Sequence, residues 1–257
     1  MNCMKKDNLG DRMKENYENR AKTQLLRRTP VIIRLDGKSF HTFTRGFDKP
    51  FDDILIEAMQ QTMLTLCKEI QGCVLGYTQS DEITLVLTDY KKLETSAWFD
   101  YDVQKICSVS ASMATLAFNK SFAKQCALYA PSHSTDISNA HINSIYNRAL
   151  FDSRCFNVPK EEVTNCILWR QQDATRNSIN AVAQANFSHK ELHGLNVNQV
   201  QDKLFKERNI NWNDFPIYLK RGSCCIKRKI DGILTWDIDN DIPVFTGESR
   251  NYIENLL

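Results

Sequence analysis

The order of strand-like and helix-like segments constrains the fold of this chain most. The apolar, β-branched run from Val31 to Leu35 predicts a buried strand, and the spacing of apolar residues from Phe51 to Ile70 predicts a helix. The stretch "VLGYTQSDEITLVLTD" predicts two short strands around a polar turn. A second helix from Ala97 to Lys120 and the strand "FDSRCFNVP" complete a β-α-β-β-α-β order, which is typical of ferredoxin-like folds.

This order predicts an α+β fold with a ferredoxin-like, polymerase-palm domain. In such a domain, an antiparallel sheet carries its helices on one face and leaves the other face free for a substrate. Additional helical and C-terminal elements follow the last strand of the pattern, and the first of them is a long helix from Val163 to Asn186. The fold class alone does not fix the function.

Two of the predicted helices carry an apolar stripe that we expect to face the core. Asp52 and Asp53 stand at the start of the first helix, where the helix dipole favours negative charge. The stripe of the first helix consists of Leu55, Met59, Met63, Leu66 and Ile70, and that of the second of Ile106, Val109, Met113 and Leu116.

The composition is that of an ordinary globular protein. The 257 residues suffice for one large domain, and the net charge is only +2, so any basic surface must arise from clustering. We expect no secretory signal and no membrane span. The nine cysteines include no Cys-x-x-Cys pair, which favours structural thiols in a reducing cytoplasm over disulfides or a zinc site.

Three carboxylates stand where strands of this pattern end. Asp36 follows the first strand, and Asp81 and Glu82 lie at the tip of the next hairpin, so neighbouring strands would bring Asp36 and Asp81 to one edge. Two ionised carboxylates repel each other unless cations neutralise them, and Mg²⁺ takes few protein oxygens and leaves its other positions to water and phosphates. The alternative is that Asp-Gly is a hairpin signal and Ser-Asp-Glu an ordinary polar turn. The spacing alone leaves both interpretations open.

The segment after Asp36 offers groups that bind a triphosphate. Gly37 lacks a Cβ, so its backbone can approach a phosphate closely. The following "KSFHTF" supplies a lysine, a hydroxyl and a series of backbone N–H groups. If the carboxylates bind Mg²⁺, we expect this segment to bind the triphosphate.

The helix from Val163 to Asn186 carries a polar stripe that is rich in amides. A stripe that is merely solvated usually carries Lys and Glu instead. One interpretation is contact with a nucleotide or another substrate, and the other is capping or hydrogen bonding between helices. The members of the stripe are Arg170, Asp173, Asn177, Asn180 and Gln184.

The stretch "FSHKELHG" also has two interpretations. His189 and His193 are four residues apart, as in a helical metal pair. Ser188 and Glu191 have the spacing of a capping box, and Gly194 follows where a short helix would end. Because no further metal ligand is evident, the sequence favours the cap over a zinc site.

Two basic clusters are candidates for phosphate contacts. Such clusters are most often solvated surface, but with an RNA substrate they add affinity without sequence information. Residues 230–257 carry alternating acids, and we expect them to form an edge hairpin or an oligomer contact. One cluster consists of Lys220, Arg221, Lys227, Arg228 and Lys229, with no acid among them, and the other of Arg20, Lys22, Arg27 and Arg28.

Five ordered motifs resemble the tRNA-His guanylyltransferase family, whose enzymes add nucleotides to RNA 5′ ends in the 3′-to-5′ direction. They are "VIIRLDGKSFHTFTRGFDKPFDD", "GYTQSDEITLVL", "FDSRCFNVP", "WRQQDATRNSINAVAQANFSHKELHG" and "NINWNDFPIYLKRG". The resemblance covers most of the chain, from the "ENYE" near its start to Lys227. It implies a palm-like fold and two-metal chemistry, in agreement with the carboxylate pattern.

The resemblance implies roles for individual residues. Asp36, the Gly37 carbonyl and Asp81 would bind two Mg²⁺ ions, and Glu82 would be a further catalytic or supporting residue. The nucleotide would bind at Gly37, Lys38, Ser39, Phe40, His41, Ser80 and Asp81. Contacts with nucleotide or tRNA are expected from Arg170, Asp173, Arg176, Asn177, Asn180, His189, Lys190, Lys220 and Arg221.

The resemblance also implies an organisation and partners. Residues 1–257 would be a single catalytic unit, with a palm-like core and metal site at 28–160, a helix and basic segment for nucleotide or tRNA contact at 161–229, and a C-terminal extension of unknown role at 230–257. The expected substrates are tRNA, ATP, and GTP or other nucleoside triphosphates. We expect a homotetramer in the cytoplasm, without a membrane partner.

One motif departs from the eukaryotic branch of that family. That branch carries "HINN" in the long helix, associated with recognition of the histidine anticodon, whereas this chain has "RNSIN", with Arg176 at the position of the histidine. The stretch "HINSIYN" precedes the "FDSRCF" strand and is not its counterpart. In this respect the chain resembles the guanylyltransferase-like branch, whose members repair truncated tRNA 5′ ends with the opposing strand as template. Guanylate addition to tRNA-His is the alternative.

Overall fold

The protein is an α+β structure around one antiparallel sheet, in a computed structural model that describes residues 8–129 and 134–257. The strands are β1 Val31–Gly37, β2 Cys73–Gln79, β3 Glu82–Leu87, β4 Phe151–Asn157, β5 Ser223–Ile230 and β6 Ile233–Asp239. They lie in the order β4-β1-β3-β2-β5-β6, and each neighbouring pair is antiparallel. The predicted α+β, palm-like fold is confirmed.

Two helices cover the first face of the sheet, α3 (Asp53–Glu69) and α4 (Val103–Tyr129), and a third, α5 (Thr135–Asn147), packs against α4. Val31, Ile33 and Leu35 of β1 point to this face because alternate residues of a strand share a side. The side chain of Asp52 accepts the backbone N–H of Leu55 at 2.9 Å and caps α3, so the predicted helix start is confirmed.

The second face is covered in part, which corrects the expectation that helices lie on one face only. Helix α6 (Val163–Asn186), with the predicted bounds, packs Val163 and Ile167 against Ile32 of β1. The C-terminal helix α10 (Asn251–Glu254) joins the same cluster. The physical reason is that the central strands are apolar on both faces, so neither face is stable in water.

Helix α4 begins six residues later than predicted. Residues 97–102 form a short turn in which Phe99, Asp100 and Tyr101 have φ of 51°, 51° and 58°, a conformation that an α-helix does not contain. The predicted apolar stripe is confirmed for Ile106, Val109 and Met113, which lie in or against the core, but not for Leu116. Leu116 is exposed, while Ser110 is buried because its hydroxyl pairs with that of Ser153 at 2.8 Å.

Helix α5 lies where the sequence pattern predicted no helix. It contains the "HINSIYN" stretch, and its role is structural. The ring Nε2 of His141 lies 2.8 Å from the Asp52 carboxylate, and the Ser144 hydroxyl donates to the Phe43 carbonyl at 2.7 Å. These bonds fix α5 against the start of α3.

The remaining helices are short or peripheral. The C-terminal half of α6 packs against α8 (Val197–Arg208) and against the segment before α9 (Ile217–Arg221). Together they form a small apolar cluster that includes Ile179 and Trp212. The remaining helices are α1 Leu9–Asn16, α2 Phe40–Phe43, α7 His189–Leu192, α8 Val197–Arg208 and α9 Ile217–Arg221.

The last two strands form the edge hairpin that was one of the two expectations for the C-terminal residues. Strand β5 pairs with β2 and with β6, so the sheet continues across positions 160 and 229, where the sequence analysis divided the chain. That division into functional segments stays a prediction.

Among the described residues, all eight cysteines are free thiols, and no helix is long and apolar enough to span a membrane.

Candidate active site

The predicted metal-binding carboxylates lie together at one end of the sheet. Asp36 is the second-last residue of β1 and lies opposite Glu82 of β3 and Asp152 of β4. Asp81 belongs to the two-residue turn between β2 and β3, and its carbonyl accepts the backbone N–H of Gly37 at 3.0 Å. The Asp-Gly pair is therefore not a hairpin turn. It ends a central strand and is hydrogen-bonded to the neighbouring turn.

Each of the two carboxylates has a raised pKa. Burial raises the pKa of Asp36, and the negative charges of Glu82 and Asp152 raise it further. Burial also raises the pKa of Asp81, where a hydrogen bond from the Ser80 hydroxyl at 2.9 Å opposes the effect only in part, and the Asp36 charge adds to it. Each shift means that the ionised form is disfavoured until positive charge is added.

This donor set fits Mg²⁺. The ion takes oxygen ligands and usually binds through one or two carboxylates, with water and phosphates completing its shell. Asp36 and Asp81 supply two half-exposed carboxylates, and Gly37 supplies a nearby carbonyl. Within the residues that the structure describes, no group of three or more His, Cys, Asp or Glu side chains forms a complete metal cage. Such a cage is not what a phosphate-bound Mg²⁺ requires.

Glu82 is held by arginines and not presented to a ligand. One oxygen of its carboxylate accepts from Arg34 and from Arg170, each at 2.9 Å, and Arg170 also pairs with Asp173. Both Glu82 and Arg170 are buried. Of the two roles expected for Glu82, the geometry favours the supporting one. The guanidinium of Arg170 is buried in these ion pairs, and its expected contact with nucleotide or tRNA stays a prediction.

A cleft of about 610 Å³ opens beside these carboxylates, within the size range of small-molecule sites. One wall comes from the segment that follows β1, including Ser39 and His41, and the β2–β3 turn contributes Ser80 and Asp81. The opposite wall comes from α6, with Asn177. The structure thus brings most of the predicted nucleotide-binding residues together.

Two details of the predicted triphosphate segment need correction. The backbone N–H of Gly37 donates to Asp81 and that of Lys38 donates to the Leu150 carbonyl at 2.8 Å, so neither is available to a phosphate. The ring of Phe40 lies in the core, against Phe118 and Phe151. Lys38 retains an exposed side chain, and Ser39 and His41 are exposed.

The Phe40 ring explains why position 37 is a glycine. A Cβ added to Gly37 would lie 2.2 Å from the nearest ring carbon of Phe40, which is closer than nonbonded carbons approach. The chain turns into α2 at Ser39, which has a left-handed φ of 56°. This turn sends Phe40 back under the strand end.

Some residues of the polar stripe of α6 form ion pairs within the helix, and others face the cleft or solvent. Asp173 forms ion pairs with Arg170 and Arg176, so it acts within the helix. Asn177 lines the cleft, and Asn180 is exposed. The two interpretations of the stripe therefore apply to different residues.

The other predicted contact residues lie away from the cleft lining. His189 and Lys190 are exposed in α7, where the capping box of Ser188 and Glu191 is present, which confirms the cap. Lys220 is buried, and its ammonium donates to the Asn213 carbonyl at 2.5 Å, while its expected contact with tRNA stays a prediction.

Part of one basic cluster is neutralised by ion pairs. Two further residues line the cleft although no sequence pattern predicted them. Arg228 forms ion pairs with Asp237 and Asp239 of the partner strand, although no acid is adjacent in sequence. Arg221 is half-buried and remains a candidate for a contact. Lys49 and Tyr218 line the cleft. Both lie inside motifs that resemble the family, but no spacing marked them as site residues.

Comparisons with known proteins agree with this geometry. A family model described as tRNA-His guanylyltransferase matches residues 10–159. A probable tRNA(His) guanylyltransferase of Dictyostelium discoideum is 28% identical over 223 residues, which cover 80% of this chain and 78% of that protein.

Solved structures extend the likeness over nearly the whole chain. A bacterial tRNA(His) guanylyltransferase (Thg1)-like protein in complex with ATP matches with a TM-score of 0.84 and 45% identity, covering 97% of this chain and 99% of that one. A structure of such a bacterial protein in complex with GTP matches with a TM-score of 0.79 and 42% identity, covering 96% and 97%.

Proposed function

The chain belongs to the tRNA-His guanylyltransferase family, and we propose that it adds nucleotides to the 5′ end of tRNA, each chosen by pairing with the opposing strand. The observation that carries this proposal is the meeting of Asp36 and Asp81 beside a cleft of nucleotide size. The similar bacterial proteins bind ATP and GTP. We extend this property to the present chain, with other nucleoside triphosphates as substrates for addition.

The metal-binding part of the proposal rests on three groups. Asp36, Asp81 and the Gly37 carbonyl would bind two Mg²⁺ ions, whose positive charge would favour the ionised form of the two carboxylates against their raised pKa. When bound, such a pair of ions activates an attacking oxygen and stabilises a leaving one.

The nucleotide part rests on the cleft walls. Ser39, His41 and Ser80 line the cleft next to Asp81 and would contact the triphosphate. Asn177 faces the same space from α6 and would contact the base or ribose with its amide. Lys38, between the cleft residues Gly37 and Ser39, has an exposed side chain that offers a positive charge.

The reaction has two steps when the RNA carries a 5′ monophosphate. In the first, an oxygen of that phosphate attacks the α-phosphorus of ATP, a phosphoanhydride forms and pyrophosphate leaves. In the second, the 3′-hydroxyl of the incoming nucleotide attacks the activated 5′ phosphorus, its proton passes to solvent, and AMP leaves. The residues of the chain contribute positioning and electrostatic stabilisation, which dominate catalysis of phosphoryl transfer.

Arg176 supports templated repair over the alternative, guanylate addition to tRNA-His. It occupies the position at which the eukaryotic branch carries its anticodon-associated histidine, and it forms an ion pair with Asp173. An arginine held in this way does not reproduce the hydrogen bonds of a neutral histidine. Pairing with the opposing strand would then choose the base.

The test uses a labelled tRNA that lacks its first nucleotide, incubated with Mg²⁺, ATP and each nucleoside triphosphate in turn. We expect extension by the wild-type protein, and a loss of about 100-fold or more in Asp36→Asn and Asp81→Asn. Asp202→Asn, an exposed carboxylate on α8, is the matched control. A product formed from nucleotide without RNA would indicate a cyclase, and RNA binding without any product would indicate a binding module.

The homotetramer and the cytoplasmic location remain proposals that rest on the family. Sedimentation equilibrium of the purified protein tests the first. A molar mass of one chain at micromolar concentration would contradict it. Fractionation of cells that produce the protein tests the second.

A further inference from the structure

The edge of the sheet beside Asp36 forms an open shelf that the cleft does not include. Asp152 and Arg154 of edge strand β4 lie opposite Asp36 and Arg34 of β1, so all four side chains share one face of the sheet. The side chains of Asp152 and Arg154 are 57% and 54% exposed. Asp36 is half-exposed and is not among the residues that line the cleft. We call this surface the edge shelf.

An indole ring forms the wall of the edge shelf. Trp169 of α6 is 47% exposed, whereas Trp98 and Trp212 are buried. The guanidinium of Arg170 lies 3.7 Å from its ring centroid, and that of Arg34 lies 5.2 Å from it. Both guanidinium groups are bound to Glu82, so they hold the ring in place.

These contacts link the ring to the proposed metal site. Arg34 precedes Asp36 by two residues on the same strand face, and Glu82 is the register partner of Asp36. Trp169 is therefore linked to the carboxylates through Arg34 and Glu82, and it is not among the residues that line the cleft. A large aromatic surface left half-exposed and rigid is typical of a binding platform.

We infer that Trp169 stacks on the first paired base at the 5′ end of the RNA substrate. This inference rests on the proposed function, because that function requires an RNA end to reach Asp36 while the cleft holds the nucleotide. The open end of an RNA stem exposes the flat face of a base, and aromatic side chains bind such faces without sequence preference. Arg154, which is 54% exposed on the same face and pairs with Asp152, offers positive charge to the phosphates of that strand.

The contacts of Arg34 and Arg170 with the ring also explain how a single indole can bind the base. Because the two guanidinium groups already pack against the ring, little conformational entropy is lost when a base stacks on its exposed part. Stacking on an aromatic ring has no sequence preference. This agrees with an enzyme that selects the added nucleotide by base pairing and does not recognise the sequence of the RNA end.

The test measures binding of a tRNA lacking its first nucleotide, without nucleoside triphosphate, so that it does not depend on catalysis. Trp169→Leu should weaken binding about 10-fold, whereas Trp169→Phe should bind within about threefold of wild type, because it keeps a stacking ring. Tyr146→Leu is the matched control, since Tyr146 is 81% exposed on α5, which packs against α4. It should bind as wild type does.

Tryptophan fluorescence supplies a second readout that a merely structural role would not change. RNA binding should quench the emission of the wild-type protein, and Trp169→Phe should lose most of this quenching while still binding RNA. Equal binding by Trp169→Leu and wild type, or equal quenching in Trp169→Phe, would overturn the inference and leave the proposed function intact. Failure of the wild-type protein to bind the RNA would overturn both.

Discussion

The backbone N–H of Gly37 donates to the carbonyl of Asp81 across 3.0 Å, and this bond joins the end of β1 to the β2–β3 turn. It fixes the position of Asp36, one residue earlier, relative to Asp81. The carboxylates therefore meet because of the backbone, before any ion binds. Burial is the largest cause of the raised pKa of both groups. The charge of Asp36 raises the pKa of Asp81 further, and the charges of Glu82 and Asp152 raise that of Asp36.

Replacement of Gly37 by alanine should destabilise the protein by about 1–3 kcal/mol. The new Cβ would lie 2.2 Å from the Phe40 ring, which is packed among other aromatic rings and cannot move freely. Urea denaturation measures the free energy of unfolding. The double variant Gly37→Ala/Phe40→Leu should recover part of the loss, and an additive second loss would contradict the clash.

Replacement of Glu82 by glutamine should destabilise the protein by about 3 kcal/mol, because Arg34 and Arg170 would lose their shared carboxylate. The loss in Glu82→Gln/Arg170→Met should be smaller than the sum of the two single losses. Both quantities follow from urea denaturation. Nucleotide addition should fall less in Glu82→Gln than in Asp81→Asn. A variant with normal stability and no activity would instead assign Glu82 to the chemistry.

The pair Asp52–His141 should make stability depend on pH in the acid range. Burial raises the pKa of Asp52, but hydrogen bonds from His141 and from the backbone of Leu55 and Asp48 outweigh it and leave the pKa lowered. The folded state therefore favours ionised Asp52. Its contribution is fully present above the unfolded pKa of about 3.9 and is lost as pH falls through the lower, folded value.

The measurement is the difference in unfolding free energy between wild type and Asp52→Asn. We expect about 1 kcal/mol at pH 7, shrinking as the pH falls below 4. The other carboxylates titrate in both proteins, so they cancel in the difference. A difference that stays constant from pH 7 to pH 2 would show that the charge of Asp52 contributes nothing.

Mg²⁺ should stabilise the folded protein through Asp36 and Asp81. At ten times its dissociation constant, a single bound ion adds about 1.4 kcal/mol to the unfolding free energy. Because the raised pKa of Asp81 means that its ionised form is unfavourable in the folded state, Asp81→Asn should be more stable than wild type without metal. It should also lose the Mg²⁺ increment. An undiminished increment in Asp81→Asn would place the ion elsewhere.

Much of the fold follows from local patterns. The bounds of α6 and the positions of β1 to β4 were predicted, because their apolar residues repeat with a clear period. The start of α4 was not, because the positive φ values at residues 99–101 depend on tertiary contacts such as the burial of Tyr101. Helix α5 was missed because it is anchored by polar bonds of His141 and Ser144 and not by an apolar stripe.

In the candidate site, too, local patterns predict some features, while contacts between residues far apart in the chain determine the others. Asp36 and Asp81 could be placed together from the hairpin pattern, since register brings neighbouring strand ends to one edge. The burial of Arg170 could not be predicted, because its partner Glu82 is 88 residues earlier in the chain. The burial of Lys220 could not be predicted for a similar reason, since a backbone carbonyl that binds an ammonium leaves no mark in the sequence.

The most direct test of the central claim exchanges the base that opposes the missing nucleotide in the truncated tRNA. Four such RNAs, each differing only in that base, are incubated with wild-type protein, Mg²⁺, ATP and all four nucleoside triphosphates, and the added nucleotide is identified. The account predicts that the added nucleotide changes with the opposing base and remains its complement in every case. Addition of guanylate to all four RNAs would contradict templated repair.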